Sequence, residues 1–385
     1  MNISNLFVIN PSINVSPYCY SLLKAETYTT CAHACVYCFG RWYRVVSAGG
    51  NENAYIMLRN FERTLKFLSK KRLKTIPFRL STLVDPFQPI EKEKGFSRRV
   101  LVLCRKYEVP LIINTKAPYF LTTDYLSILK ALGDGGLVVV QISLSTLSDE
   151  TAKKLEPYAP PPIKRLDAAE KLSGDNIPVV VRLQPFIPGI TDWEIKEIIE
   201  QTRYVGVKQI IVESLRDEIE NLRFYEELAY DKSTYKDLNL WTSYSPSVEV
   251  PSKIVRPNST WRLVSYKLVK ELCDKYGLEF STCKEGFYEY HTAKNCCGMH
   301  LMEGSKYALR PTLQEAWEYY RRHKKFPKFK ELIDELGEKY IFGEGLKRYP
   351  RPIRKGIKSH EKILREILDE QRDRISTLIP TIFQL

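Results

Sequence analysis

Thr29-Thr30-Cys31-Ala32-His33-Ala34-Cys35-Val36-Tyr37-Cys38-Phe39 decides how the rest of this chain is read. Its three thiols are spaced C-x3-C-x2-C and follow an apolar stretch, residues 21–28, that reads as a strand. Iron–sulfur clusters take thiolate ligands. A cubane has four irons, so three cysteines on one loop leave the fourth open, as catalytic zinc sites keep one position free. Two other readings stand beside this one. The thiols can form a zinc site completed by His33, or can simply pack in a core.

Outward from that loop, short β-branched runs recur at 77–84, 110–115, 137–145, 178–183 and 209–214, with a seventh candidate at 278–282. Their mainly apolar, β-branched character suits strands buried in a parallel sheet. Amphipathic segments lie between them. Thr191-Asp192-Trp193-Glu194 has the pattern of a capping box opening a helix through about Thr202. Pro160-Pro161-Pro162 precedes another helical segment, with Gly174 as its stop. Strands and helices alternating at this spacing build right-handed βαβ units. Six units fill residues 20–215, fewer than the roughly 250 residues of a complete eightfold barrel. The expected fold is therefore α/β, a partial (β/α)6 barrel. Residues 1–19 read as an N-terminal extension and 216–309 as a barrel-closing region, beginning with a polar, Tyr-rich connection over 216–257. A helix is expected over 259–276, and a mostly helical, basic region over 310–385.

Composition bounds the partners. Among 385 residues 44% are hydrophobic and 27% charged, which suits a soluble globular protein. No apolar run approaches the 18 or so residues of a membrane span, and the start of the chain lacks a signal-peptide pattern, so a cytoplasmic location without membrane contact is expected. Nine clustered cysteines in a reducing compartment read as metal binding or catalysis rather than disulfides. A net charge of +13 favours anionic partners.

The cysteine loop after a first barrel strand resembles the radical S-adenosylmethionine (SAM) superfamily. The supporting strings are Asp85-Pro86-Phe87-Gln88-Pro89-Ile90-Glu91, Asn114-Thr115-Lys116, Ser143-Leu144-Ser145, Lys154-Leu155-Glu156-Pro157, Arg165-Leu166 and Pro185-Phe186-Ile187-Pro188-Gly189-Ile190. These resemble the branch around spore photoproduct lyase and its archaeal and bacterial relatives, over about Tyr20 to Glu213. The resemblance implies that Cys31, Cys35 and Cys38 hold a [4Fe–4S] cluster and that SAM chelates the open iron. It further implies reductive cleavage to a 5′-deoxyadenosyl radical, which abstracts hydrogen from a substrate, with ferredoxin or flavodoxin as electron donor.

Sites of such barrels lie at the C-terminal ends of the strands. That rim carries Asp85 for the ammonium group of SAM, Lys116 for its carboxylate, Ser143 or Ser145 for carboxylate or ribose, and Gln184. Tyr37 and Phe39 are expected against the adenine. Arg182, inside a strand, is expected to contact substrate or to pair with a carboxylate such as Glu213.

A second group, Cys283, Cys296 and Cys297, follows the seventh candidate strand, with His291 and His300 nearby. It can ligate a second metal or iron–sulfur cluster with a histidine, supply a redox or hydrogen-donating thiol, or cover the barrel mouth. Cys19 and Cys104 read as core or surface thiols. Arg321-Arg322-His323-Lys324-Lys325-Phe326-Pro327-Lys328-Phe329-Lys330 follows Trp317, Tyr319 and Tyr320, a mixture suited to phosphate contacts and base stacking in DNA or RNA, or to a solvated helical face. Three functions stay open at this point: radical chemistry on nucleic acid, radical chemistry on a peptide or small molecule, and a non-catalytic metal-bearing nucleic-acid-binding protein.

Overall fold

The computed structural model describes residues 16–40, 52–244, 253–302 and 306–384. Of the expected N-terminal extension, residues 1–15 lie outside the described residues. All seven expected strands form: β1 (Lys24–Ala25), β2 (Phe78–Leu80), β3 (Leu111–Thr115), β4 (Val138–Ser143), β5 (Val179–Phe186), β6 (Gln209–Ser214) and, after three strands of a smaller sheet, β10 (Glu279–Thr282). They make one sheet in the order β1-β2-β3-β4-β5-β6-β10, parallel at every pair. The sheet runs from β1 to β10 as its two edges, a partial barrel of six βα units with a seventh strand added beside β6.

The Val- and Ile-rich strands fill both faces. Ile113, Val138, Val140 and Val181 belong to the main core under the helices, and Ile112, Val139, Val180 and Ile211 point into the barrel. Register follows the same alternation, with Ile112 opposite Val139 and Val180 opposite Gln209. β1 is far shorter than the run that predicts it. Glu26, next after it, accepts hydrogen bonds from Thr82 N (2.9 Å) and Leu83 N (3.2 Å), so a carboxylate replaces the ladder there.

Two local expectations are corrected. The helix Ile195–Tyr204 has no capping box at its start; Glu194 instead accepts from Thr146 Oγ1 and Leu147 N, and Thr191 Oγ1 donates to Ser145 O. Residues 216–257 are not only connection. They contain β7 (Asp217–Glu218), β8 (Trp241–Ser243) and β9 (Ile254–Pro257), an antiparallel sheet in the order β7-β9-β8. Strands of two to four residues are too short to show a period in the sequence.

The helix Ser259–Tyr276 matches its expectation, with Asn258 as its N-cap and Gly277 in the left-handed region at its end. The C-terminal helices Leu313–His323, Phe329–Asp334 and Arg351–Asp369 pack around Trp317, Phe329, Leu364 and Ile367. Trp317 and Tyr319 are buried and Tyr320 stacks on Phe326 at 4.6 Å, so these rings form the core of the basic region rather than a platform for bases. The cations from Arg321 to Lys325 remain exposed. No helix among the described residues is long and apolar enough to cross a membrane.

Candidate active site

The strand ends open onto a cavity of about 250 Å³. Cys31, Cys35 and Cys38 line it from the loop after β1; none is in a disulfide. Tyr37, Phe39, Asp85, Lys116, Ser143 and Gln184 line the same cavity, as do Cys283 and Cys297. Ser145 and Cys296 are buried outside it.

The cysteine loop is held by the string that follows β2. Gln88 accepts from Ala32 N (2.8 Å) and donates to Thr30 O (2.7 Å). Glu91 accepts from the Tyr28 hydroxyl and from Ser97 N, tying the loop to the next helix. Asp85 Oδ2 accepts from Lys116 N (2.6 Å), and its Oδ1 accepts from Phe87 N and Thr115 Oγ1, both at 2.9 Å. Burial would raise the Asp85 carboxyl, but His33 and the backbone N–H groups of Lys116 and Phe87 outweigh it and hold the carboxyl below its usual range. The carboxylate proposed for the SAM ammonium is thus already engaged in joining three loops. On the other flank, Val36 N donates to Leu155 O (3.0 Å). Below it lies Glu156, missed in the sequence as a site residue. Its carboxylate pairs with the buried Arg165, accepts from the Tyr37 hydroxyl, and lies 3.9 Å from Lys116 Nζ. Tyr37 is therefore anchored by its hydroxyl while its ring faces Lys116 at 5.4 Å.

Arg182 does not pair with Glu213. Its guanidinium donates to Gln141 Oε1 (3.0 Å) and to Gln184, while Glu213 pairs with Arg216 and accepts from Gln184. The inward register explains this: Gln141 and Arg182 both face the barrel interior and meet across neighbouring strands, whereas Arg216, three residues beyond Glu213 and past the end of β6, reaches back to it.

The donor set tests the cofactor directly. A zinc site needs His33, but His33 Nδ1 lies 3.1 Å from Tyr158 O and its Nε2 faces Asp85. Among the described residues no three His, Cys, Asp or Glu side chains are gathered to hold one metal ion. Three cavity-facing cysteines on one loop suit a cubane whose ligands attach to different irons. Burial pushes Cys35 up to about 12, so its thiolate requires the positive charge that a cluster brings. In the second group both histidines engage Nε2, His291 accepting from Thr282 N (2.9 Å) and His300 contacting Glu279 Oε2 (2.5 Å), while the Nδ1 of each has no hydrogen-bond partner among the described residues.

A parallel partial barrel with three free thiols and an acid–base-lined cavity at its strand ends is the scaffold of a cluster-dependent radical enzyme. Residues 26–202 match the Radical SAM superfamily, and the chain belongs to that superfamily. It is a radical SAM enzyme, whose cofactors are a [4Fe–4S] cluster and SAM. An uncharacterized protein of Acidianus two-tailed virus is 29% identical over 52% of this chain and 70% of its own length. An uncharacterized protein of Methanocaldococcus jannaschii is 26% identical over 43% of this chain and 61% of its own length. Among solved structures, a variant of spore photoproduct lyase superposes with a TM-score of 0.51 at 13% identity, covering 68% of this chain and 76% of the other. Another variant, with bound AdoMet and dinucleoside spore photoproduct, gives 0.50 at 12% identity over the same shares. At these identities the structural likeness speaks for the fold.

Proposed function

We propose that this enzyme abstracts hydrogen from a nucleic-acid substrate presented to the cavity, with Cys31, Cys35 and Cys38 as cluster ligands. The observation that carries the reading is the cavity itself, where the cysteine loop and the cations Lys116, Arg216 and Lys284 share one opening. When bound, the cluster supplies the electron that cleaves SAM to a 5′-deoxyadenosyl radical. Lys116, beside Tyr37, is placed to hold the SAM carboxylate, and Ser143 and Gln184 to hold its polar groups. Tyr37 and Phe39 flank the last cysteine as apolar walls that exclude water from the reacting centre. Lys284 carries positive charge to the rim for a phosphate-bearing substrate, beside an Arg216 that is paired with Glu213. The exposed cations after Tyr320 extend that charge outside the cavity. A ferredoxin or flavodoxin is the matching electron donor. The dinucleoside spore photoproduct bound by one of the structural relatives supports the same substrate class.

The test uses protein reconstituted anaerobically with iron and sulfide and reduced with dithionite. Formation of 5′-deoxyadenosine, lost in Cys35→Ala, supports the cluster assignment. Binding of DNA or RNA that weakens linearly with the logarithm of salt concentration supports the substrate class. Salt-independent or undetectable binding, with SAM cleavage intact, moves the substrate to a peptide or small molecule.

A further inference from the structure

The second cysteine group has a fourth member that lies far from it in sequence. Cys19, in the segment before β1, lines the cavity together with Cys283 and Cys297. Cys296 Sγ stands 3.7 Å from Cys297 Sγ, and its thiol feels the charges of Cys297, Cys283 and Cys19. The turn that carries the adjacent pair is inserted into the barrel. Gln141 Nε2 donates to Cys297 O (2.7 Å), and a Cβ at Gly298 would meet Val180 Cγ2 at 3.0 Å. Cys283, Cys296 and Cys297 belong to one buried cluster inside the barrel, and Cys19 joins Cys283 and Cys297 in the lining of the cavity shared with the loop after β1, so thiols from three separate segments are gathered there.

The charges around them are unbalanced. Arg79 and Arg182 are buried, yet neither has a carboxylate within ion-pair distance among the described residues. Arg79 donates to Asn114, Gln141 and Cys297 Sγ (3.4 Å); Arg182 donates to Gln141, Gln184 and Cys283 Sγ (3.7 Å). Arg310, also buried, donates to Cys19 O (2.7 Å), while its Nε and Nη2 have no partner among the described residues. Buried guanidinium groups without an anion are costly. An anionic thiolate cluster would supply the missing charge, and hydrogen bonds to ligating sulfurs are the usual support of such a cluster.

We propose that Cys19, Cys283, Cys296 and Cys297 ligate a second iron–sulfur cluster, supported by Arg79 and Arg182. Two thiolates on one tetrahedral metal, with bonds of about 2.3 Å, stand roughly 3.8 Å apart. The Cys296–Cys297 separation of 3.7 Å therefore suits a shared iron, with Cys19 and Cys283 on the remainder of the cluster. This site does not rest on the nucleic-acid reading.

The test is the full-length chain with Cys31, Cys35 and Cys38 all replaced by Ala, reconstituted anaerobically with iron and sulfide. That protein cannot cleave SAM, so the readout is iron, sulfide and the electron paramagnetic resonance spectrum after reduction. Two or more irons per chain with matching sulfide is the expected result. Adding Cys19→Ser, or Cys296→Ala with Cys297→Ala, should remove them, while Cys104→Ser should not. Circular dichroism checks that each variant is folded, and Cys19→Ser, at a half-buried position, is the mildest of them. A folded triple variant free of iron overturns the proposal, as does zinc in place of iron and sulfide. Failure of DNA or RNA binding leaves it untouched.

Discussion

His33 Nε2 stands 3.4 Å from Asp85 Oδ2, so the residue between Cys31 and Cys35 is tied to the loop after β2. Asp85 in turn accepts from Lys116 N at the end of β3. One carboxylate thus sets the spacing of three neighbouring loops around the cavity.

Asp85→Asn is expected to loosen that joint. An amide accepts through one oxygen only, so at least one buried donor is left unpaired, a loss of about 1–3 kcal/mol. Chemical denaturation should report that loss, and the reconstituted variant should hold less iron. The carboxyl is held below its usual range, so its contribution is present above about pH 4 and is lost as pH falls through the folded value. Unchanged stability and iron, with only a raised KM for SAM, would instead place Asp85 on the ammonium group of SAM.

Glu156 and Arg165 form a pair with both side chains almost wholly buried under the cysteine loop. Arg165→Met should cost about 3–5 kcal/mol, because it leaves a buried carboxylate with only Lys116 as a cation nearby. Adding Glu156→Gln should recover part of the loss. Urea unfolding of the single and double variants checks this; additive losses would deny the coupling.

Much of this architecture is legible in the sequence, for a physical reason. Strands such as Val138–Ser143 are buried on both faces, so their runs are dominated by Val and Ile and easily seen despite Gln141. The cysteine triplet is local, and its spacing is its chemistry. What the sequence hides is long-range. Nothing local tells that Glu156 reaches Tyr37, that Arg182 prefers two amides to Glu213, or that Cys19 lines one cavity with Cys297. Gln88 and Glu91 sit in a string readable as a family mark, but their partners Ala32 and Tyr28 become evident only when β1 and β2 pair.

Gly298 offers a test of the inserted turn. Its φ is +69°, and an added Cβ would meet Val180 Cγ2 at 3.0 Å and Gln209 Oε1 at 3.3 Å. Gly277 has a similar φ of +67° with nothing within 4 Å of its Cβ position. Gly277→Ala should therefore show only the backbone cost of about 1–2 kcal/mol. Gly298→Ala should lose more, and should also shift the reactivity of Cys297 toward iodoacetamide in the apo protein. Equal losses at the two positions would mean that the turn is free to move out of the barrel.

Glu315 links the C-terminal region to the segment before β1. It accepts from Thr312 Oγ1 (2.7 Å), Tyr340 OH (3.0 Å) and the Tyr20 hydroxyl, and burial pushes its carboxyl up to about 7. The unfolded value is about 4.3. A folded pKa above the unfolded one gives stability that is complete below about pH 4 and is lost as pH rises through 7. Between those limits the wild-type chain should lose up to about 3 kcal/mol at this site. Glu315→Gln removes the titration. Its stability relative to wild type should therefore rise steadily from pH 5 to pH 8, whatever the offset from altered hydrogen bonds. Denaturant titrations at the two pH values measure that difference, and parallel curves would mean that Glu315 is charged in the folded chain throughout.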